Sequence, residues 1–146
     1  MKTRILAACL LATAVVAAPP TLAHHSFAAM YDASKPIRLV GKLTKVEWTN
    51  PHSFFYIAVA NAKGEVNTWT IEGAGSGALS RRGFNKGDIT LGDTLIVQGY
   101  LARSGARVVD GRLVTLPNGR VINGSSPGDG GPGSTGRGAE AGRGGD

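Results

Sequence analysis

The chain has 146 residues, 16 lysines and arginines against 10 acidic residues, and a formal net charge of +6. That length provides for one domain with a modest core. One cysteine excludes a disulfide-stapled scaffold, and so mild a positive charge argues for solubility more than for a polyanion partner.

In chain order, residues 1–23 read MKTRILAACLLATAVVAAPPTLA. Lys2 and Arg4 precede an apolar run from Ile5 to Ala18, and Thr21-Leu22-Ala23 forms a small-residue exit, the pattern of a secretory signal peptide. The run is shorter than the about 20 apolar residues of a bilayer span. A core helix here would end at Pro19-Pro20. Leu6-Ala7-Ala8-Cys9 has the look of a lipid-anchor box, but only Ile5 to Ala8 would precede the cut, too little for export. Pro19 obstructs a cut after Ala18, so cleavage is expected after Ala23. The mature protein then starts at His24, has 123 residues, no cysteine and no membrane span, and loses Lys2 and Arg4 to reach a charge of +4. Its expected location is the periplasm or the medium.

After a short N-terminal segment, 24–34, apolar alternation dominates from 35 to 122, with turn residues between the runs. Ile37, Leu39, Gly41 and Leu43 share one parity, whereas Val46 and Trp48 take the other. A β-bulge near Thr44-Lys45 lets both sets face one core. Phe55, Ile57 and Val59 alternate with Phe54, Tyr56 and Ala58. Asn61-Ala62-Lys63-Gly64 is a hairpin connection, after which Trp69 and Ile71 point inward. Gly73 to Gly77 reads as a loose connector, and Ala78 to Arg82 as a short helix ended by Gly83. Gly87-Asp88 and Gly92-Asp93 signal turns around a strand that carries Leu95, Val97 and Leu101. Gly99 relieves crowding where that strand bends. Ser104-Gly105, Asp110-Gly111 and Asn118-Gly119 punctuate the remaining short strands.

Residues 123–146 hold ten glycines in 24 positions and no aromatic or large aliphatic side chain. Such a segment buries too little apolar surface to offset its ordering entropy, so a disordered Gly-rich tail is expected. The predicted fold class is therefore all-β with one short helix. Three strands, a helix and at least two strands follow the order of a five-stranded OB-like Greek-key barrel, with another small sandwich or barrel as the alternative.

His-His-Ser-Phe at residues 24–27, Trp48-Thr49-Asn50-Pro51-His52, and Gly92-Asp93 before a strand together resemble a family of small exported bacterial proteins. That family is classed as a domain of unknown function. The resemblance covers about Ala23 to Ile122 and implies export and a β fold, with no activity or ligand attached.

The three histidines carry the one specific chemical idea. Cleavage after Ala23 makes His24 N-terminal, with an amine whose ordinary pKa is about 8 and an imidazole near about 6.5. Together they close a chelate ring, and nitrogen-rich ligation favours Cu(II) or Ni(II). His52 supplies a third nitrogen, with His25 as a substitute and Met30 as a weak axial ligand to copper. The plainer reading has His24 and His25 on a frayed terminus and His52 bonded to a loop carbonyl. Docking of Phe27 and Tyr31 on the barrel is the link the metal site requires.

A second reading is a barrel that binds a small anionic ligand, a glycan or an exported protein partner, through Trp48, Tyr56, Trp69, Arg103 and Arg107. Core packing is the competing role of both tryptophans. Export argues against nucleic acid. The mature sequence offers no cysteine nucleophile, serine elbow, phosphate loop or paired-histidine zinc motif, so no enzyme is expected. Asp32, Glu47 and Glu72 are the acidic residues noted as partners for His52.

Overall fold

A computed structural model describes residues 26–133. Alternating apolar side chains build a mostly β architecture with two short helices. The elements are α1 (Phe27–Met30), β1 (Tyr31–Glu47), β2 (His52–Ala60), β3 (Val66–Ala74), α2 (Ser76–Arg81), β4 (Thr94–Ala102), β5 (Val108–Thr115) and β6 (Val121–Asn123), with a 3-10 turn at Lys86–Asp88 before β4. The sheet order is β3-β2-β1-β4-β5-β6, antiparallel between all these neighbours. β3 also pairs in parallel with β5 through Thr70–Val108, Ile71–Val109 and Glu72–Asp110.

The change of parity in β1 is resolved as the sequence demands. Its register against β2 shifts between Leu43 and Lys45, and Thr44 Oγ1 donates to the Tyr56 carbonyl there, at 3.0 Å. The extra residue lets Leu39 and Leu43 before the bulge, and Val46 and Trp48 after it, meet the same core. α2 covers that core with Leu79 and ends at Gly83, whose φ of 78° is left-handed and suits glycine. Phe84, 1% exposed, follows. Its ring stacks on Phe55 at 6.0 Å and meets Trp48 edge-on at 5.4 Å.

Four local expectations need correction. The folded part begins before residue 35, because Phe27 and Tyr31 are both buried and β1 starts at Tyr31. Gly73 to Gly77 is no loose connector: a side chain at Gly75 would come within 2.6 Å of the Asn50 amide oxygen and the Pro51 carbonyl. The Ser76 N–H there donates to the Thr49 carbonyl at 2.9 Å. Asp110-Gly111 is not a turn but the middle of β5, where Gly111 allows the close approach of Ile71.

The fourth concerns the expected tail. Residues 123–133 run as a strap across the outside of the strands, with Ser125, Ser126 and Asp129 buried. Gly124 donates to the Arg112 carbonyl at 2.9 Å and accepts from the Ala74 N–H at 2.7 Å. Arg82 Nη1 donates to the carbonyls of Asn123 and Ser125 at 2.9 and 2.7 Å. The composition argument counted apolar side chains, but this segment is held by backbone hydrogen bonds and charge. Residues 1–25, including the expected signal peptide, His24 and His25, and residues 134–146 lie outside the described residues. Among the described residues no helix is long and apolar enough to cross a membrane.

Candidate functional site

β2 begins at His52, and the two-residue period of a strand puts His52, Phe54 and Tyr56 on the face away from the core. β3 lies alongside, with Glu72 opposite Phe54 on that same face. His52 Nδ1 is 3.1 Å from Glu72 Oε1, and both side chains are 15% exposed. The other carboxylate oxygen, Oε2, accepts a hydrogen bond from the Tyr31 hydroxyl at 2.5 Å. The strap adds Ser126, whose Oγ is 3.1 Å from the same Nδ1. His52 Nε2 has no hydrogen-bond partner among the described residues.

Of the three acidic residues noted for His52, Glu72 is the one that reaches it. Asp32 is taken up by Ser34, and Glu47 by Lys45. Serine, histidine and glutamate also recur in hydrolytic triads, but such a relay needs the serine on one ring nitrogen and the acid on the other. Here both partners address Nδ1.

A second cluster adjoins the first. Arg112 is 7% exposed and forms ion pairs with Asp110 on its own strand and with Asp129 in the strap, the latter at 3.0 Å. Its guanidinium lies over the Phe27 ring at 4.8 Å. The Phe27 N–H donates to the Asp129 carbonyl at 2.9 Å, so the start of the described chain is clasped to its end. Phe27 also stacks on Tyr31 and meets Tyr100 edge-on.

The charges explain two perturbed groups. Burial pushes the Tyr31 hydroxyl above the usual phenol range, and the adjacent Glu72 carboxylate adds to this, so Tyr31 remains a donor. Burial also pushes Asp110 up to about 6; Arg112 opposes the shift, while Asp129 and Glu72 reinforce it. The folded state therefore holds this proton more tightly than the unfolded chain. The stability contributed is present below the ordinary aspartate value of 3.8 and is lost as pH rises through about 6. Relative to Asp110→Asn, the wild type is expected to lose about 3 kcal/mol of unfolding free energy between about pH 3 and about pH 8. Urea unfolding of both proteins across that range measures it; parallel pH profiles would contradict it.

The other predicted site residues are dispersed. Trp48 and Trp69 are half-buried and pack against the core cluster. Tyr56 lies on the outer face with Lys45 Nζ 4.9 Å from its ring centroid. Arg103 Nε donates to the Ala28 carbonyl at 2.9 Å, and Arg107 is exposed with its carbonyl accepting from the Thr70 N–H. Met30 is exposed. Sequence reasoning missed Asp110, Arg112, Ser126 and Asp129. The available signal was a lone Asp-x-Arg within an apolar strand, which a surface reading of charge passes over.

Fold and site together define a small β-rich protein with a polar cluster on the outer face of its strands, enclosed by its own N-terminal segment and C-terminal strap. The chain belongs to a family of unknown function, DUF6152, whose sequence model matches residues 11–110. That span includes all three histidines and Glu72, whereas Arg112, Ser126 and Asp129 lie beyond it. A comparison with curated proteins gave no match.

Proposed function

We propose that this is an exported, periplasmic or secreted, binding protein built on an OB-like Greek-key barrel, and that its ligand is copper. The barrel reading is supported by the pairing circuit β1-β2-β3-β5-β4-β1, with α2 between β3 and β4. His52 is the ligand carried by the barrel. The amine and imidazole of His24, freed by cleavage after Ala23, complete the nitrogen set, with His25 as the substitute. The proposed role is binding rather than catalysis.

The observation that carries the reading is the docking of the segment just after His24. Tyr31 reaches His52 through Glu72, and Phe27 is bonded to the same strap that brings Ser126 to His52. Three peptide steps separate His24 from Phe27, a reach of at most about 10 Å. Copper titration of the processed protein is expected to give tight uptake that weakens at least about tenfold, about 1.4 kcal/mol, when one residue is added ahead of His24. Equal affinity with and without that residue would reject the chelate.

A second reading, a barrel that binds a glycan, an anionic small ligand or an exported protein partner without metal, is favoured by Tyr56 and Lys45 on the outer face. Glycan binding abolished by Tyr56→Ala in a protein that takes up no copper would decide for it.

A further inference from the structure

β4 and β5 pair with one residue to spare. Gln98 faces Leu113 and Gly99 faces Gly111, so Arg112 is the extra residue of a bulge, without a partner across the strands. Its guanidinium turns to Asp129 and to the Phe27 ring instead. Beside this bulge the sheet carries a cavity of about 380 Å³, within the about 300–1,000 Å³ range of small-molecule sites. β1 supplies Pro36 and Arg38 to its wall, β4 supplies Gln98 and Tyr100, and β5 supplies Arg112 and Leu113. The register sets Pro36 opposite Tyr100 and Arg38 opposite Gln98. Pro36, Tyr100 and Leu113 form its apolar surface, and Leu113 is 40% exposed. The two cations differ in what they are free to do. Arg112 is taken up by Asp110 and Asp129, whereas Arg38 is exposed and forms no ion pair among the described residues.

We propose that this cavity binds a small monocarboxylate with an apolar body, the chemistry of a medium-chain fatty acid. The carboxylate lies on Arg38 and Gln98, and the apolar body lies over Pro36, Tyr100 and Leu113. A guanidinium fork matches a carboxylate in two parallel hydrogen bonds, and the Gln98 amide adds a neutral donor. The charges of the wall limit the ligand to one negative charge. A doubly charged phosphate would find Arg38 alone to meet it, because Arg112 is already committed and brings two carboxylates with it. The apolar side chains exclude a glycan in the same way. Its hydroxyls would be desolvated against Pro36 and Leu113 without partners, where an alkyl body gains from the contact. The inference takes nothing from the copper reading, since neither His52 nor Glu72 lines the cavity.

Octanoate is the probe, used below its micelle-forming concentration on the protein without added metal. In nitrogen-15 NMR titrations the backbone amides of Arg38, Gln98, Tyr100 and Leu113 are expected to shift and saturate. Octanol keeps the chain and lacks the charge; acetate keeps the charge and lacks the chain. Each should bind at least about tenfold more weakly than octanoate. Arg38→Met keeps an apolar stem at an exposed position and is expected to weaken octanoate at least about tenfold, with octanol unchanged. Leu113→Glu sets a like charge in the wall and should abolish octanoate binding, with a thermal melt to check the fold. Should that variant fail to fold, Arg38→Met decides alone. Unchanged octanoate binding in Arg38→Met, octanol binding as tight as octanoate, or no saturable shift at millimolar octanoate would each overturn the proposal. So would tighter binding of inorganic phosphate, or octanoate shifts confined to the separate cleft between Leu43, Ile89 and Leu91.

Discussion

Replacing Arg112 with alanine is expected to lower the unfolding free energy by about 3–5 kcal/mol, the range for removing one partner of a buried charge cluster. Arg112 lies between Asp110 and Asp129 and beneath the docked N-terminal segment. Without it two buried carboxylates face each other with no compensating charge, and the Phe27 ring loses the guanidinium it rests on. Arg112→Met separates these contributions, because it keeps an apolar stem while removing the charge. It should recover the packing share and remain well below wild type. Combining Arg112→Met with Asp110→Asn and Asp129→Asn should restore most of the stability, since no unpaired charge is then left inside. Urea unfolding curves for the four proteins measure the series. A cost below about 1 kcal/mol for Arg112→Ala would place the cluster in the class of solvated surface pairs.

A second large effect is expected at Gly99. An added Cβ there would overlap the Asp110 carbonyl oxygen of the neighbouring strand and crowd the Val109 side chain. The obstruction is backbone within a paired strand, so no rotamer change relieves it, and Gly99 faces Gly111 in the register. Gly99→Ala is expected to cost about 3 kcal/mol or more, at the upper end of overpacking effects. Gly87 is the control: a Cβ added there meets nothing within 4 Å and its φ is not left-handed. Gly87→Ala should leave stability within about 0.5 kcal/mol of wild type. Thermal melts of the two variants compare them directly; equal melting temperatures would show that β4 and β5 can separate locally at little cost.

Much of the strand pattern was legible because period-two alternation reports which side chains meet the core, and β1 and β2 follow it closely. The parity break at Thr44-Lys45 identified a bulge, and the register shift lies between Leu43 and Lys45. Gly83 and Asn61 to Gly64 were legible because a left-handed φ and a tight hairpin select particular residues. Asp110-Gly111 misled for the same reason. The pair reads as a turn until the ion partner of Asp110 and the close packing at Gly111 are known, and both come from other strands. The strap was illegible from composition. Its glycines were counted as lost apolar burial, whereas in the fold they permit contacts that side chains would block, as where Gly131 lies against Arg112 and Phe27.

The candidate site divides in a similar way. His52 stood out through its rarity and its place at the entrance to a strand, and Glu72 was one of three acidic residues considered for it. The choice among those three depends on which strands are neighbours and in what register, information that is spread over the whole β region. Asp129 and Ser126 come from a segment with no sequence pattern of its own, so their convergence on Arg112 and His52 follows from the path of the backbone alone.

The bond between the Phe27 N–H and the Asp129 carbonyl joins the two extremities of the described chain. A protein closed in this way carries a tensile load in a particular order. Traction applied to the two ends meets the clasp first, then peels the glycine-rich segment away one bond after another, and strains the sheet last. Mild mechanical or proteolytic insult would therefore uncover the imidazole of His52 while the hydrophobic interior stayed shut.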